Sequence, residues 1–278
     1  MKEILKEEII IPTRKKESHK GSYGRLLIIA GSENYPGAAA LSTLAALRSG
    51  AGIVTLLSSE RVISKIFPLI PEAVLEPMEK FNKKIIDRAL MRSTAVVIGP
   101  GLGGKALKTV KYVLKNYKGP LLLDADGINA LKGNTDILKI KKGPMVLTPH
   151  PGEMARLLGK TVSEIEADRE GIAADFSKNS GAHLVLKGHK TIVSAPSGEM
   201  AVNTTGNAGM ARGGSGDVLS GILGAFLSLG EDIFSASKKA VFLHGLAGDI
   251  AAEEKTEHAM LPRDIIEAIP KAFKRITE

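Results

Sequence analysis

The residues best suited to chemistry lie between Asn203 and Gly230, in the stretch NTTGNAGMARGGSGDVLSGILGAFLSLG. Gly206, Gly209, Gly213, Gly214 and Gly216 carry almost no bulk between them and stop at Asp217. An apolar pattern then begins. Val218, Leu219, Ile222, Leu223, Phe226 and Leu227 recur at helical spacing, and Gly230 stands where a helix C-cap belongs. A glycine loop feeding a helix start offers free N–H groups and the positive end of the helix dipole to an anion. Glycine also lets the backbone come close to a phosphate. Close packing explains Gly221 and Gly224, but a run of glycines closing on an acid fits an anion site better. Asp217 cannot itself hold an anion. Its useful work would be to accept a proton from a hydroxyl attacking a phosphoryl group, or to position that hydroxyl. The helix start is expected to favour its ionised form and leave it a modest base. No Lys-Ser or Lys-Thr follows the loop, so it is not a Walker site, and neither Gly-x-Ser-x-Gly nor His-Glu-x-x-His occurs.

Other polar groups stand at the ends of short apolar runs. Gly99-Pro100-Gly101-Leu102-Gly103-Gly104 follows Ala95–Ile98 and could touch phosphate or ribose, although its spacing is not that of a dinucleotide fingerprint. Asp124 and Asp126, with Asn129, follow Leu121–Leu123. The two carboxylates could position Mg²⁺ or bind a sugar, and Asp126 could equally cap a helix. His150 lies between two prolines beside Thr148 and Glu153, which would hold its ring; structural and ligand-binding roles are both open. Lys187, Gly188, His189, Lys190 and Thr191 join two short strands, and this hairpin tip could lie over a nucleotide or be an ordinary loop. His244 and Asp249 fall on a helix over Ala236–Glu253 and read as core-lining or surface residues.

The elements that must position these groups alternate. Strands at Leu26–Ala30, Ile53–Leu57, Ala73–Leu75, Ala95–Ile98, Leu121–Leu123, Met145–Leu147 and His183–Leu186 are separated by helices near Ala38–Ser49, Glu60–Phe67, Phe81–Met91 and Ala106–Leu114. A long amphipathic helix is expected over Thr161–Asn179, and another at Pro262–Phe273. Such alternation predicts βαβ units and a mostly parallel sheet, with ligand sites at the carboxyl ends of the strands. No internal repeat or linker interrupts it, so residues 1–278 read as one domain, with roughly the first 20 residues loosely packed.

Composition narrows the function. An apolar fraction of 44% with 24% charged residues is that of an ordinary folded domain. With no cysteine there are no disulfides, thiolate zinc sites or cysteine nucleophiles. No apolar run is long enough to span a membrane, and the N-terminus lacks a secretory pattern, so a cytoplasmic location is expected. The net charge of +8 is spread along the chain, and aromatics are only 4% with no tryptophan. That argues for small polyanionic ligands and against nucleic acid.

The motifs HKGSYG, GPGLG, LTPHPGE, KGHKT and NTTGNAGMARGGSGDVLSG together resemble one family, from about His19 to the C-terminus. Gly213-Gly214-Ser215-Gly216-Asp217 is similar to the anion hole of the ribokinase-like superfamily, and the full set is similar to the ADP-dependent NAD(P)H-hydrate dehydratases. The resemblance implies a three-layer αβα fold around a central, mostly parallel sheet. It implies that ADP (ATP in eukaryotic relatives) drives removal of the C6 hydroxyl of hydrated NADH or NADPH, giving NAD(P)H, AMP and phosphate. The epimerase half to which some relatives are fused is missing from this sequence, so dehydration alone is expected. By the same resemblance Asp217 is the catalytic and substrate-binding acid. Ala38, Ala39, Gly101, Gly103 and His150 match the hydrate side. Lys187, Gly188, His189, Lys190, Thr191, Asn207 and Gly213–Gly216, Ser215 among them, match the nucleotide side. Mg²⁺ is implied with its ligands left open, as is a homo-oligomer, a tetramer in relatives. A ribokinase-like kinase acting on a hydroxyl of a small vitamin precursor would share the Gly-Ser-Gly-Asp site; LTPHPGE and NTTGNAGMA argue against it.

Overall fold

The computed structural model describes residues 1–278, apart from the side chain of Lys105. Its strands are β1 (Lys2–Glu3), β2 (Arg25–Ile29), β3 (Ile53–Ser58), β4 (Val74–Pro77), β5 (Ala95–Ile98), β6 (Leu121–Leu123), β7 (Met145–Leu147), β8 (His183–Leu186), β9 (Thr191–Ser194) and β10 (Met200–Asn203). They form one ten-stranded sheet in the order β1-β10-β9-β8-β7-β6-β5-β2-β3-β4. Every neighbouring pair is parallel except β8–β9 and β9–β10.

The central strands are continuous apolar runs because helices cover both faces of the sheet. Successive side chains alternate between two cores. Leu26, Ile28, Val97 and Leu122 belong to one; Leu27, Ile29, Val96, Leu121 and Leu123 belong to the other. The helices are α1 (Pro36–Arg48), α2 (Glu60–Ile66), α3 (Lys83–Met91), α4 (Ala106–Asn116), α5 (Asp126–Asn129), α6 (Pro151–Leu158), α7 (Val162–Ala167), α8 (Arg169–Ser180), α9 (Ser215–Ser228), α10 (Ile233–Lys255) and α11 (Pro262–Thr277). Residues of α1, α2, α9, α10 and α11 fill the first core, and residues of α3, α4, α6, α7 and α8 fill the second. This is a three-layer αβα architecture. Helices α1 and α9 pack closely because Gly221 has no side chain: a Cβ there would lie 2.2 Å from the Ser42 carbonyl oxygen.

Three expectations need correction. The N-terminal segment is not uniformly loose: Ile4 and Ile9 are buried, the Ile4 N–H donates to the Val202 carbonyl at 2.9 Å, and β1 extends the sheet beside β10. The longest continuously exposed stretch of this segment is the basic one from Pro12 to Lys20. The long helix over Thr161–Asn179 is two helices. Asp168 leaves the helical conformation (φ −146°, ψ 63°) and its carboxylate caps α8 by accepting the Gly171 N–H at 2.9 Å. The LTPHPGE segment opens a helix that the sequence reading left out. His150 is its N-cap, Pro151 takes the first position, and Glu153 reaches back to the His150 N–H at 2.8 Å, completing a capping box.

Candidate active site

The carboxyl ends of β6, β7, β8 and β10 open onto a cavity of about 1080 Å³. Its walls include all of the Lys187–Thr191 hairpin tip, the run from Asn203 through Gly216 except Gly209, and Asp124, His150, Glu153, Asp217 and His244. Helix α9 begins here. Gly214, at φ 102°, turns the chain into it, and no side chain caps the first turn. Its N–H groups therefore face the cavity backed by the helix dipole, as an anion site requires.

The loop ahead of α9 is fixed from a distance. Asp249 on α10 accepts the Gly206 N–H at 2.9 Å and the Asn207 side-chain amide at 3.0 Å. The Asn207 side-chain oxygen in turn accepts the Gly209 N–H at 3.0 Å. Asn207 thus lines the cavity while shaping its wall. Asp249, read from sequence as core or surface, is part of the machinery that builds the site. The hairpin tip has a comparable brace. Arg169 of α8 donates to the carbonyls of His189 at 2.7 Å, Leu186 at 3.2 Å and Lys187 at 3.3 Å. Sequence reasoning missed Arg169, because nothing local to α8 points to a loop it meets only in the fold.

Charges converge at the floor. Lys187 sits against the start of α9: a Cβ added to Gly216 would lie 3.2 Å from its Nζ. The ammonium group is 2.9 Å from Asp124 Oδ1 and 3.7 Å from Glu153 Oε2. Burial works against its charge, but Asp124 and Glu153 outweigh burial and raise its pKa above the ordinary value. Asp217, in the first turn of α9, is pushed up to about 7. Burial is the main cause; Asp124, Glu153 and Asp126 add to it and Lys187 opposes them. The expectation of a modest base kept ionised by the helix start is therefore overturned. The dipole is a fraction of a charge, whereas desolvation and three carboxylates act together on Asp217. An acceptor with a pKa near neutrality is well matched to general base catalysis.

His150 has a defined tautomer. Its Nδ1 accepts the N–H groups of Gly152 at 3.0 Å and Glu153 at 3.3 Å, so in the neutral ring Nε2 carries the hydrogen. Burial lowers its pKa, as do Lys187 and Arg156, against Glu153, which raises it. His244 is likewise neutral: burial brings its pKa to about 4. Its Nε2 and the Ser215 hydroxyl, both on the cavity wall, have no partner within the protein.

The remaining expected residues form a neighbouring patch on the same sheet edge, outside the walls of this cavity. Gly101 lies against Ala38; a Cβ at Gly101 would come within 2.8 Å of the Ala38 Cβ. Ala39 is fully buried beneath Gly31 and leaves only its place in the first turn of α1 to offer a ligand. The Gly103 N–H donates to Asp126 Oδ2 at 2.8 Å, so Asp126 ties the Gly101–Gly103 turn down and does not cap α5. Asn129 links Asp126 to Arg156, whose Nε donates to it at 2.9 Å. Asp124, the other carboxylate considered for Mg²⁺, accepts from Thr148 at 2.8 Å, Lys187 at 2.9 Å and Ser220 at 2.6 Å. Among the described residues no group of three or more acidic or histidine side chains is placed to hold a metal ion.

A glycine-rich loop at the start of a buried helix, with an acid in that helix's first turn, on a mostly parallel sheet between two helical layers, defines a ribokinase-like protein. The family is narrower than the fold. The chain belongs to the NAD(P)H-hydrate dehydratases, whose family profile matches residues 26–271. It is 38% identical over 268 residues to the ADP-dependent (S)-NAD(P)H-hydrate dehydratase of Bacillus subtilis, covering 95% of this chain and 94% of that one. The crystal structure of the ADP/ATP-dependent enzyme from Bacillus subtilis, co-crystallized with ATP/Mg²⁺, superposes with a TM-score of 0.88 at 34% identity over 99% of this chain and 98% of that one. A bifunctional NAD(P)H-hydrate repair enzyme of Moorella thermoacetica is 38% identical over 284 residues, covering 96% of this chain but 52% of that protein. The chain thus spans about half the length of the bifunctional relatives it matches.

Proposed function

We propose that this chain is an ADP-dependent dehydratase that restores NADH or NADPH from its (S)-hydrate, releasing AMP and phosphate. The observation that carries the reading is Asp217, poised near neutrality in the first turn of a helix whose free N–H groups and neighbouring Lys187 face the same cavity. In this scheme the ADP phosphates lie over Gly213–Gly216 and the hairpin tip. Asp217 accepts the proton of the C6 hydroxyl as its oxygen bonds to the β-phosphorus, and the bond to AMP breaks. The C6–O bond then breaks with its electron pair leaving on phosphate, and loss of a ring proton restores the double bond. Phosphorylation matters because hydroxide is a poor leaving group and phosphate a good one.

Lys187 neutralises charge on the transferred group, and the helix start does the same without moving. The Ala38–Gly101–Gly103 patch and His150, with hydrogen on Nε2, are assigned to the hydrated nicotinamide nucleotide. Asp124 already accepts three donors, so a cage of protein carboxylates is not available at this point. Mg²⁺ is therefore assigned to the nucleotide's own phosphates and water, its usual habit, where it would offset phosphate charge.

The deciding experiment incubates purified protein with hydrated NADH and ADP and follows the dihydronicotinamide absorbance. Its return, with AMP and phosphate released together, is expected. No return would refute the assignment, and a stable phosphorylated product would favour the kinase reading. We also propose a single-domain protein acting as a homo-oligomer, a tetramer, in the cytoplasm. Among the described residues no helix is long and apolar enough to cross a membrane. Sedimentation velocity at micromolar protein tests the oligomer directly.

A further inference from the structure

Asp124 has no part in the proton and phosphoryl transfers just described, yet it is 1% exposed and takes three donors from three elements. Thr148 donates from the end of β7, Lys187 from the end of β8, and Ser220 from α9, one turn beyond Asp217. A buried ion pair of this kind is poor evidence of a stability role, because apolar packing of equal volume is often as stable. Its arrangement joins the helix that carries the acid to the strand that carries the cation.

We infer that Asp124 is a positioning residue that fixes the Lys187 ammonium in front of Gly216 and sets a second negative charge behind Asp217. This inference rests on the dehydratase reading for its catalytic meaning, but not for its geometry. The charged groups facing Asp217 are Asp124 from the end of β6, Asp126 from α5, Glu153 from α6 and Lys187 from the end of β8. His150 and His244 are neutral at pH 7 and add no charge. Without Asp124, Lys187 would be opposed only by Glu153 and the more weakly acting Asp126, and would shift Asp217 toward its ionised form, a weaker base. With Asp124 in place the cation still meets the phosphates, while Asp217 keeps an appetite for a proton. One carboxylate thus lets a lysine and a general base stand side by side.

The test compares wild type with Asp124→Asn, which keeps size but removes the charge and turns one acceptor oxygen into an N–H donor, by two readouts. The first is the acid limb of kcat/KM for hydrated NADH. The second needs no turnover: the difference in melting temperature between each protein and its counterpart carrying Asp217→Asn, followed from pH 4 to 9. Between the ordinary carboxylate value of 3.8 and about 7 the native state holds a proton on Asp217 that the unfolded chain has lost. Stability from this group is therefore complete below that window and lost as pH rises through about 7. With Asn at 124, both the catalytic limb and the inflection in the melting difference are expected about one pH unit or more lower.

A folded Asp124→Asn protein with both unmoved overturns the inference. If that variant does not fold, Lys187→Met, altered at a partly exposed side chain, reports on the same pair from the other side. Loss of the cation should itself move the inflection upward, and adding Asp124→Asn to Lys187→Met should bring it down again; equal inflections in these two proteins overturn the inference. Absence of wild-type turnover would refute the dehydratase reading alone, and the melting readout would still decide the role of Asp124.

Discussion

Asp249 and Asn207 are joined side chain to side chain at 3.0 Å, and through that contact a helix of the outer layer sets the shape of the loop ahead of α9. Asp249 also holds the Gly206 N–H at 2.9 Å, so both anchors are lost together when it is truncated. Asp249→Ala should raise the Kd for ADP about tenfold, the effect of about 1.4 kcal/mol from lost hydrogen bonds. The KM for the hydrate should stay within twofold. Calorimetric titration with ADP, alongside steady-state kinetics, checks the split, and an equal loss on both sides would contradict it.

Asp217→Asn should keep ADP binding and lose turnover by about a hundred- to ten-thousand-fold, the range for removal of a general base. In the unaltered protein, activity should fall about tenfold per pH unit below about pH 7, where the carboxylate becomes protonated. Rate profiles from pH 5 to 9 at saturating ADP test this. A flat profile would show that another group takes the proton.

The brace at the hairpin tip depends on the fork of Arg169, which meets three carbonyls at once. Lysine offers a single point charge and cannot span them. Arg169→Lys should therefore raise the KM for ADP about three- to tenfold, by roughly 1 kcal/mol of lost charged hydrogen bonding. The chemical step in a single-turnover measurement should hardly change.

Ile4 is 2% exposed and packs into the core shared by α10 and α11. Ile4→Ala should cost about 2–4 kcal/mol in a denaturant titration, the range for large-to-small core substitutions. Leu5→Ala, at a neighbour that is 47% exposed, should cost less than about 1 kcal/mol. Equal costs would mean that the N-terminal segment is not anchored.

The central strands were legible because both faces are buried and their apolar runs have no polar interruption. Gly188 marked the β8–β9 turn for an equally local reason, and the glycines before Asp217 marked the anion loop. Strand β10 was missed because Met200–Asn203 is short and alternates in burial beside a polar loop. Asp249 and Arg169 carry no local signature, since each acts on a loop brought to it by the fold. Asp217 was found, but its proton affinity was misjudged. The helix start can be read from the sequence around it, whereas Asp124, Asp126 and Glu153 reach it only through the convergence of strand ends.

The two antiparallel pairings at β9 have a consequence of parity. One reversal would send the chain out at the far end of the sheet, and the second restores its heading, so Asn203 pairs with Thr191 and leaves beside the hairpin tip. The loop leading to Asp217 therefore starts next to the segment assigned to the other side of the nucleotide. Strands could be gained or lost between Lys187 and Asn203 only in pairs, because an odd number would separate the two halves of the site by the length of the sheet.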